Sequence, residues 1–276
     1  MLAKEKIRME KPRLIRHSPT GHGMMEIVPE VDPVMKFVSM NLLRLNKGEK
    51  YSLKNIDREL GVVIVKGSCN AIGGSKDIKL KGRKEPLADW PYALYIPPAV
   101  EVSITALSDL EMVVYGTPAE KRDDDFFVIT PSDCKVLNIG NGNWTLQGTF
   151  VIDADGPSQN LIVGETHIPS GNWCSTPPHS HDTDIPGKQT FLEEVYYFRF
   201  KPSQGFGFQG IYTLDRSLDE AYIIRDGDIT LIPRGMHPNV AGPGYEMYML
   251  WGMAGHSKEW IPFEDPDHNW IGSLLD

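Results

Sequence analysis

Four ionisable side chains in the second half of the chain have the residue types and spacing of metal ligands. His179 and His181 are one residue apart, Glu194 directly precedes the run VYYF, and His237 follows the stretch DGDITLIPRGM. Alternate residues of a strand face the same side, so His179 and His181 point one way together. Three neutral imidazoles and one carboxylate can hold a divalent transition metal and leave one or two positions open for water or substrate. The spacing therefore predicts one metal ion bound by His179, His181, Glu194 and His237.

The residues leave alternatives to this ligand set and to the identity of the metal. Glu193 replaces Glu194 as a ligand only if the strand register slips by one residue, because neighbours in a strand face opposite sides. The competing interpretation is a set of unrelated surface or core residues, which the spacing disfavours. The donor set suits Zn or Mn, and Fe, Co and Ni are also compatible with it.

Tyr196 and Gln209 are candidates for contact with a substrate. Tyr196 shares the face of Glu194, and Gln209 lies in the stretch QGFGFQGIY. We predict that both line the pocket as catalytic residues. An aromatic residue in a strand is by default a packing residue, and this alternative stays open for them.

The elements that must position these side chains are short strands. Runs rich in Val, Ile, Tyr and Phe, such as LGVVIVKG, EVYYFRF and EMYMLWGM, alternate with Gly and Pro over the whole length. This pattern predicts an all-β sandwich or barrel with few helices. The stretch YIIRDGDITLIP is interpreted as two strands across an Asp-Gly turn.

The two halves of the chain share a weak internal repeat. In both, an aliphatic or aromatic strand is followed by an apolar strand that runs into a Pro-containing turn. The alignment places Glu101 opposite His237 and Gly61 opposite Glu194. It indicates two copies of one β-unit, divided near residue 140.

Composition limits the class of partner and the compartment. The 276 residues carry 28 Lys and Arg against 37 Asp and Glu, a formal charge of -9, without an evident basic patch. A small-molecule partner is therefore expected rather than nucleic acid. Cys69, Cys134 and Cys174 lie far apart, as reduced thiols do in a cytoplasmic protein. No apolar run approaches the roughly 20 residues of a membrane span, so a soluble, cytoplasmic protein without a membrane partner is expected.

Several long stretches resemble the cupin superfamily and, within it, the family of 5-deoxy-glucuronate isomerase, an enzyme of inositol catabolism. The stretches include VGETHIPSGNWCSTPPHSHDT, LEEVYYFRFKPSQGFGFQGIYTLDRSLDEAYIIRDGDITLIPRGMHP and DPDHNWI. The resemblance implies a bicupin of two double-stranded β-helix (jelly-roll) barrels. Residues 1–140 would form a barrel without metal ligands and 141–276 the metal-binding barrel. We also expect a homo-oligomer, because exposed edges of such barrels commonly pair.

The chain matches this family at His268 and departs from it at three places. His268 in DPDHNWI is therefore a third catalytic candidate, with a packing or interface role as its alternative. The family usually has one arginine in the stretch matching IGNGNWTLQG, another where this chain has Gly210, and an asparagine in place of Trp251. Arginine pairs bidentately with carboxylates, so the absence of these guanidinium groups predicts a substrate other than the family's sugar acid. The metal ligands are present, so the metal chemistry itself is expected to be kept.

Three functions are compatible with these features. The first is a metal-dependent aldose–ketose isomerase of inositol or uronate catabolism, in which a base moves a proton between neighbouring carbons. The second is a metal-dependent ring-opening hydrolase of a neutral cyclic keto-polyol such as a keto-inositol, which needs no arginine. The third is a non-catalytic sugar-binding bicupin, since fold does not fix function. The sequence does not identify the base.

Overall fold

The described part of the chain is built almost entirely of β-strands. The computed structural model describes residues 13–16 and 21–275. Its helical segments are short 3-10 turns at Pro131–Asp133, Gly142–Trp144 and Asn269–Leu275. Across these described ranges, no helix has the length and apolar character that a membrane crossing requires.

Ten strands precede residue 130 and twelve follow it in the described ranges. The first ten are β1 (Arg13–Ile15), β2 (Gly23–Val28), β3 (Ser39–Leu45), β4 (Lys50–Lys54), β5 (Arg58–Gly73), β6 (Lys76–Arg83), β7 (Ala93–Ile96), β8 (Glu101–Ala106), β9 (Leu110–Pro118) and β10 (Phe127–Ile129). The others are β11 (Lys135–Ile139), β12 (Leu146–Ile152), β13 (Ile162–Ile168), β14 (Trp173–Cys174), β15 (His179–Ser180), β16 (Leu192–Lys201), β17 (Phe206–Tyr212), β18 (Asp219–Arg225), β19 (Ile229–Ile232), β20 (Asn239–Ala241), β21 (Glu246–Gly255) and β22 (Phe263–Glu264).

The strands form two sets of antiparallel sheets, one in each half of the chain. In the first half they run β10-β7-β5-β9-β3-β2, with β6 and β8 paired to β5 and β4 paired to β8. The second half has a seven-stranded sheet, β1-β19-β16-β21-β13-β12-β11, and a four-stranded sheet, β14-β20-β17-β18. This arrangement confirms the predicted all-β fold class with two jelly-roll barrels.

The predicted division near residue 140 lies close to the change from one set of sheets to the other. β10 pairs with β7 of the first half, whereas β11 pairs with β12 of the second. Arg13–Ile15, although early in the chain, pairs with β19 of the second half. The domains 1–140 and 141–276 stay a prediction.

Each barrel has its own apolar core, and a third core joins the two halves. Along β5, Leu60, Val62 and Ile64 belong to the core of the first barrel. Val63 and Val65, which alternate with them along the strand, belong to the core between the halves. Both faces of this strand are buried, which explains its near-continuous apolar sequence.

The stretch predicted as two strands across Asp226-Gly227 forms those strands as β18 and β19. The turn carries the chain from one sheet to the other, because β18 pairs with β17 and β19 with β16. The Asp-Gly turn is thus a barrel corner rather than the tip of a hairpin.

The strand registers correct one detail of the internal repeat. Leu60 pairs with Ile96 and Glu194 pairs with Ile232, the residues before the two aligned prolines. Leu60 is therefore the equivalent of Glu194, and the predicted Gly61 was wrong by one residue. Gly61 faces the other half, where an added Cβ would lie 2.8 Å from a Leu161 methyl carbon. The alignment had matched similar side chains, whereas backbone pairing decides which face each residue occupies.

Candidate metal centre

Two strands and two short segments of the second barrel bring the four predicted ligands together. His179 lies in β15, His181 follows it, Glu194 lies in β16, and His237 precedes β20. The Glu194 Oε2 atom is 3.2 Å from His181 Nε2 and 3.3 Å from His237 Nε2. These three residues are buried, and their ligand atoms lie close enough together to share one ion. The His179 ring is centred 4.9 Å from that of His237, so the fourth predicted ligand lies beside the cluster.

A backbone carbonyl orients each imidazole in the same way. The Nδ1 atoms of His179, His181 and His237 lie 3.2, 2.6 and 2.8 Å from the carbonyl oxygens of Pro177, Leu192 and Gly235. An Nδ1 proton donated to a carbonyl leaves the Nε2 lone pair free for a metal. His237 Nε2 is buried and makes no hydrogen bond, although Glu194 is close. This unpaired acceptor and the shared tautomer fit a bound divalent ion.

Burial keeps two of the imidazoles neutral, the form that a metal ligand requires. It lowers the pKa of His179 to about 4, helped by neighbouring His181. It also lowers the pKa of His237 well below its ordinary value, with His179 and His181 as further causes. At His181 burial would lower the pKa as well, but the Glu194 carboxylate beside it outweighs that effect and raises the pKa.

A cavity of about 310 Å³ adjoins the cluster and has a largely apolar wall. His179, His181 and Glu194 are part of its lining. The larger apolar side chains of the lining are Ile139, Trp144, Leu146, Phe150, Tyr196, Met249, Trp251, Met253 and Trp260. Phe150 packs edge-on against Trp251, with ring centroids 5.3 Å apart, so part of this wall is a packed aromatic cluster.

The described lining contains no lysine or arginine. The stretch Ile139–Gly148, where the resemblance led us to expect an arginine, supplies Trp144 and Leu146 to the wall. Trp251 stands where an asparagine was expected, and its Nε1 donates a hydrogen bond to Thr166 Oγ1 at 3.1 Å. The described part of the cavity therefore offers no guanidinium or ammonium group to a substrate carboxylate.

Of the three predicted catalytic residues, Tyr196 lies in the wall of this cavity. Its ring is centred 6.0 Å from that of His237. Gln209 is fully buried outside the lining, and its Nε2 donates to the His237 carbonyl oxygen at 2.8 Å. His268 lines a neighbouring cavity together with Tyr212. The structure thus does not bring His268 to the cavity of the cluster, and it gives Gln209 a contact with the backbone of the predicted ligand His237.

The segment from Trp260 to Glu264 borders the cavity and was not singled out in the sequence. Trp260, Pro262 and Glu264 all belong to the lining, and Glu264 pairs with His179 across β22 and β15. Thr190 anchors the segment, because its Oγ1 donates to the Glu259 carbonyl and accepts the Ile261 amide proton. The alternation of Trp260, Pro262 and Glu264 was the available signal, but only the fold shows what it faces.

Cys174 also lines the cavity and was predicted only as a reduced structural thiol. Its side chain is buried, and burial raises the pKa of the thiol to about 12. At neutral pH it therefore stays a protonated, weakly nucleophilic group. The three cysteines are free within the described chain.

Paired β-barrels with a His/Glu cluster in the second define the molecule as a bicupin. The fold is shared with oxalate decarboxylase from Lactobacillus farciminis, with a TM-score of 0.63 and 12% identity over 90% of this chain and 86% of that one. The chain belongs to the KduI/IolB family, whose model matches residues 14–271. This finding confirms the resemblance noted in the sequence.

Two relatives are similar over nearly the whole chain. One is the 5-deoxy-glucuronate isomerase of Geobacillus thermodenitrificans strain NG80-2, 35% identical over 257 residues, 92% of this chain and 93% of that protein. The other is the crystal structure of an IolB-like protein from Salmonella typhimurium LT2, with a TM-score of 0.89 and 31% identity. It covers 94% of this chain and 98% of that one.

Proposed function

We propose that this protein is a metal-dependent sugar isomerase that interconverts an aldose and a ketose in carbohydrate catabolism. The observation that carries the proposal is the cluster of His181, Glu194 and His237 with His179 beside it, next to a cavity in a chain of the KduI/IolB family. The relatives named 5-deoxy-glucuronate isomerase support the reaction class. Three imidazoles with one carboxylate supply the donor set for Zn or Mn.

The side chains that line the cavity have separate roles in the proposed isomerisation. The bound ion would supply Lewis-acid polarisation of the substrate oxygens. Glu264 is the lining carboxylate outside the ligand set, and it can take a proton from the hydroxyl-bearing carbon, exchange it with solvent at its exposed position, and deliver a proton to the former carbonyl carbon. The hydroxyl proton passes to the former carbonyl oxygen, so no proton is gained or lost overall. Tyr196 can donate a hydrogen bond to one of these oxygens.

A ring-opening hydrolase of a neutral cyclic keto-polyol is the second candidate. The described cavity lining lacks lysine and arginine, which favours an uncharged substrate over a sugar acid. In this reaction one water is consumed, its oxygen stays on the carbonyl carbon of the cleaved bond, and its proton goes to the leaving carbon. The same ligand set and the same aromatic wall serve either reaction.

Metal content of the purified protein tests the basis of both candidates. We expect about one equivalent of a transition metal in the parent and none in the His179→Ala, His237→Ala double variant, because a tetrahedral site tolerates few missing donors. His256→Ala is the control, since this exposed histidine contacts Asp184 outside the cluster. A parent that is metal-free and takes up no added Zn²⁺ or Mn²⁺ would rule out both enzymes and leave a sugar-binding protein.

Isotope labelling separates the two reactions. The parent is incubated with 5-deoxy-glucuronate or a keto-inositol in deuterated water and, separately, in oxygen-18 water. Deuterium on carbon in a substrate isomer supports the isomerase, whereas heavy oxygen in a ring-opened product supports the hydrolase. Binding without either label indicates the sugar-binding protein. The expected homo-oligomer and cytoplasmic location belong to the same proposal, and the particle mass in solution tests the first of them.

A further inference from the structure

The two halves hold each other through a reciprocal pair of buried carboxylates. Glu59 of β5 accepts hydrogen bonds from the backbone amides of Gln159, Asn160 and Leu161 in the second half, at 2.6, 2.7 and 2.8 Å. Glu193 of β16 accepts them from the amides of Lys36 and Phe37 in the first half, both at 2.8 Å. Each half therefore inserts one carboxylate into a loop of the other.

These two carboxylates occupy equivalent positions in the repeat. The strand registers make Leu60 the equivalent of Glu194, so the residues before them, Glu59 and Glu193, correspond as well. Glu59 and Glu193 are both buried, with 0% and 2% of their surface exposed. The residues that follow them differ in kind. Leu60 is an apolar core residue of the first barrel, whereas Glu194 is a candidate metal ligand in the second.

A residue of the first half, Tyr115, also contacts Val195, which follows the candidate ligand Glu194. The Tyr115 hydroxyl lies 3.2 Å from the carbonyl oxygens of Val195 and Leu250 and can donate its proton to either. Its ring lies against Gly252, the strand partner of Val195, so closely that an added Cβ would come within 2.6 Å of it. Both chain neighbours of Glu194 are thus fixed from the other barrel.

We propose that Glu193 and Tyr115 are positioning residues through which the first barrel holds the carboxylate of Glu194 in place for the metal. The inference rests on the proposed function, because it presumes an ion at the cluster. Metal–ligand distances tolerate deviations of only about 0.2 Å, so a small tilt of β16 changes how well Glu194 reaches the ion. Removing a group that orients a metal ligand typically weakens metal affinity about 10-fold to 100-fold.

Glu193→Gln and Glu59→Gln form a matched pair for the test. Both substitutions are isosteric and remove one acceptor oxygen at equivalent positions, although Glu59 also accepts a hydrogen bond from the Tyr95 hydroxyl at 2.8 Å. The full-length parent and variants are stripped of metal, and Zn²⁺ affinity is measured by competition with a chromophoric chelator beside the melting temperature. We expect Glu193→Gln to bind Zn²⁺ at least about 10-fold more weakly. Glu59→Gln should lose at least as much thermal stability, since Glu59 also binds the Tyr95 hydroxyl, and keep the Zn²⁺ affinity of the parent.

Tyr115→Phe provides a second variant that retains the ring and removes only the hydroxyl. We expect weaker Zn²⁺ binding and an altered visible absorption spectrum of the Co²⁺ form, with the spectrum unchanged in Glu59→Gln. If Glu193→Gln does not fold, Tyr115→Phe alone decides. Parent-like Zn²⁺ affinity and Co²⁺ spectra in Glu193→Gln and Tyr115→Phe, together with lowered melting temperatures, would show that these two residues contribute only to stability. That result would overturn the inference. A parent that binds no ion overturns the proposed function, and this inference with it.

Discussion

At the scale of single residues, Tyr196 is the side chain beside the cluster that is suited to hold a proton. Its ring is buried in the cavity wall. Burial first, and then the negative charge of Glu194, raise the pKa of Tyr196 well above its ordinary value. The hydroxyl therefore stays protonated through the neutral range and can act as a hydrogen-bond donor to a substrate oxygen, but not as a base.

Tyr196→Phe is expected to lower kcat by about 100-fold or more, because a positioned proton donor typically contributes at least that factor. Tyr197→Phe is the matched control, since its hydroxyl donates to Glu111 at 2.8 Å on the opposite face of the strand. Both variants are assayed at saturating metal, because the Tyr196 hydroxyl also forms a hydrogen bond with the Glu194 carboxylate. Steady-state kinetics and metal analysis of both variants provide the measurement. Parent-like kcat in Tyr196→Phe would assign this tyrosine to packing.

At the scale of elements, the cavity wall depends on how closely two neighbouring strands pack. Gly164 of β13 pairs with Trp251 of β21. A Cβ added at Gly164 would lie 2.1 Å from Trp251 Cζ2, closer than any real contact allows. The missing side chain at this glycine is what lets the indole lie across the strand and border the cavity.

Gly164→Ala should therefore displace Trp251, raise KM, and lower the free energy of unfolding by about 1–3 kcal/mol, the usual cost of overpacking. Gly148→Ala is the contrast for stability, because it adds a methyl to the neighbouring strand with its nearest contact 4.0 Å away at the Leu137 carbonyl oxygen, although Gly148 also lines the cavity. Urea unfolding is compared in the two variants, and the KM of Gly164→Ala is compared with that of the parent. Equal effects in both would mean that Trp251 does not rely on the glycine.

At the scale of the whole molecule, an ion cluster at the border between the barrels links stability to pH. Glu111 of the first half lies 2.8 Å from both Arg44 of its own half and Arg199 of the other. Burial alone would raise the pKa of Glu111, but the charges of Arg199 and Arg44 outweigh it and hold the pKa below the ordinary 4.5. A carboxyl with a lowered pKa stabilises the fold above its unfolded pKa, and this contribution is lost as the pH falls through the folded value.

Glu111→Gln should be less stable than the parent by about 1–3 kcal/mol at pH 7, because the half-buried guanidinium groups of Arg44 and Arg199 lose the charge of one shared partner. The difference should shrink as the pH falls below 4.5, where the parent carboxyl also becomes protonated. Urea unfolding between neutral and acidic pH measures it. Glu101→Gln, at an exposed pair with Lys54, serves as the control without a stability change. A constant difference at every pH would contradict the assignment.

Strand periodicity allowed much of the fold and of the candidate site to be predicted from the sequence. Alternation placed Glu193 and Glu194 on opposite faces, and the structure shows Glu193 bound to the other half and Glu194 beside His181 and His237. The short aliphatic and aromatic runs between Gly and Pro predicted an all-β sandwich or barrel, the internal repeat predicted two copies of one β-unit, and the family resemblance implied two barrels. These features are local, because a period of two fixes the direction of a side chain once the strand exists.

Only the tertiary structure decided which side chains meet across the chain. It placed His268 in a neighbouring cavity, brought Glu264 to the cavity of the cluster, and made Leu60 rather than Gly61 the counterpart of Glu194. The sequence alone determined the strand pattern and the residue types available for a metal site. The register, the lining of the cavity and the support of Glu194 by the first barrel depend on contacts between distant segments, which backbone pairing and close packing fix only in the folded molecule.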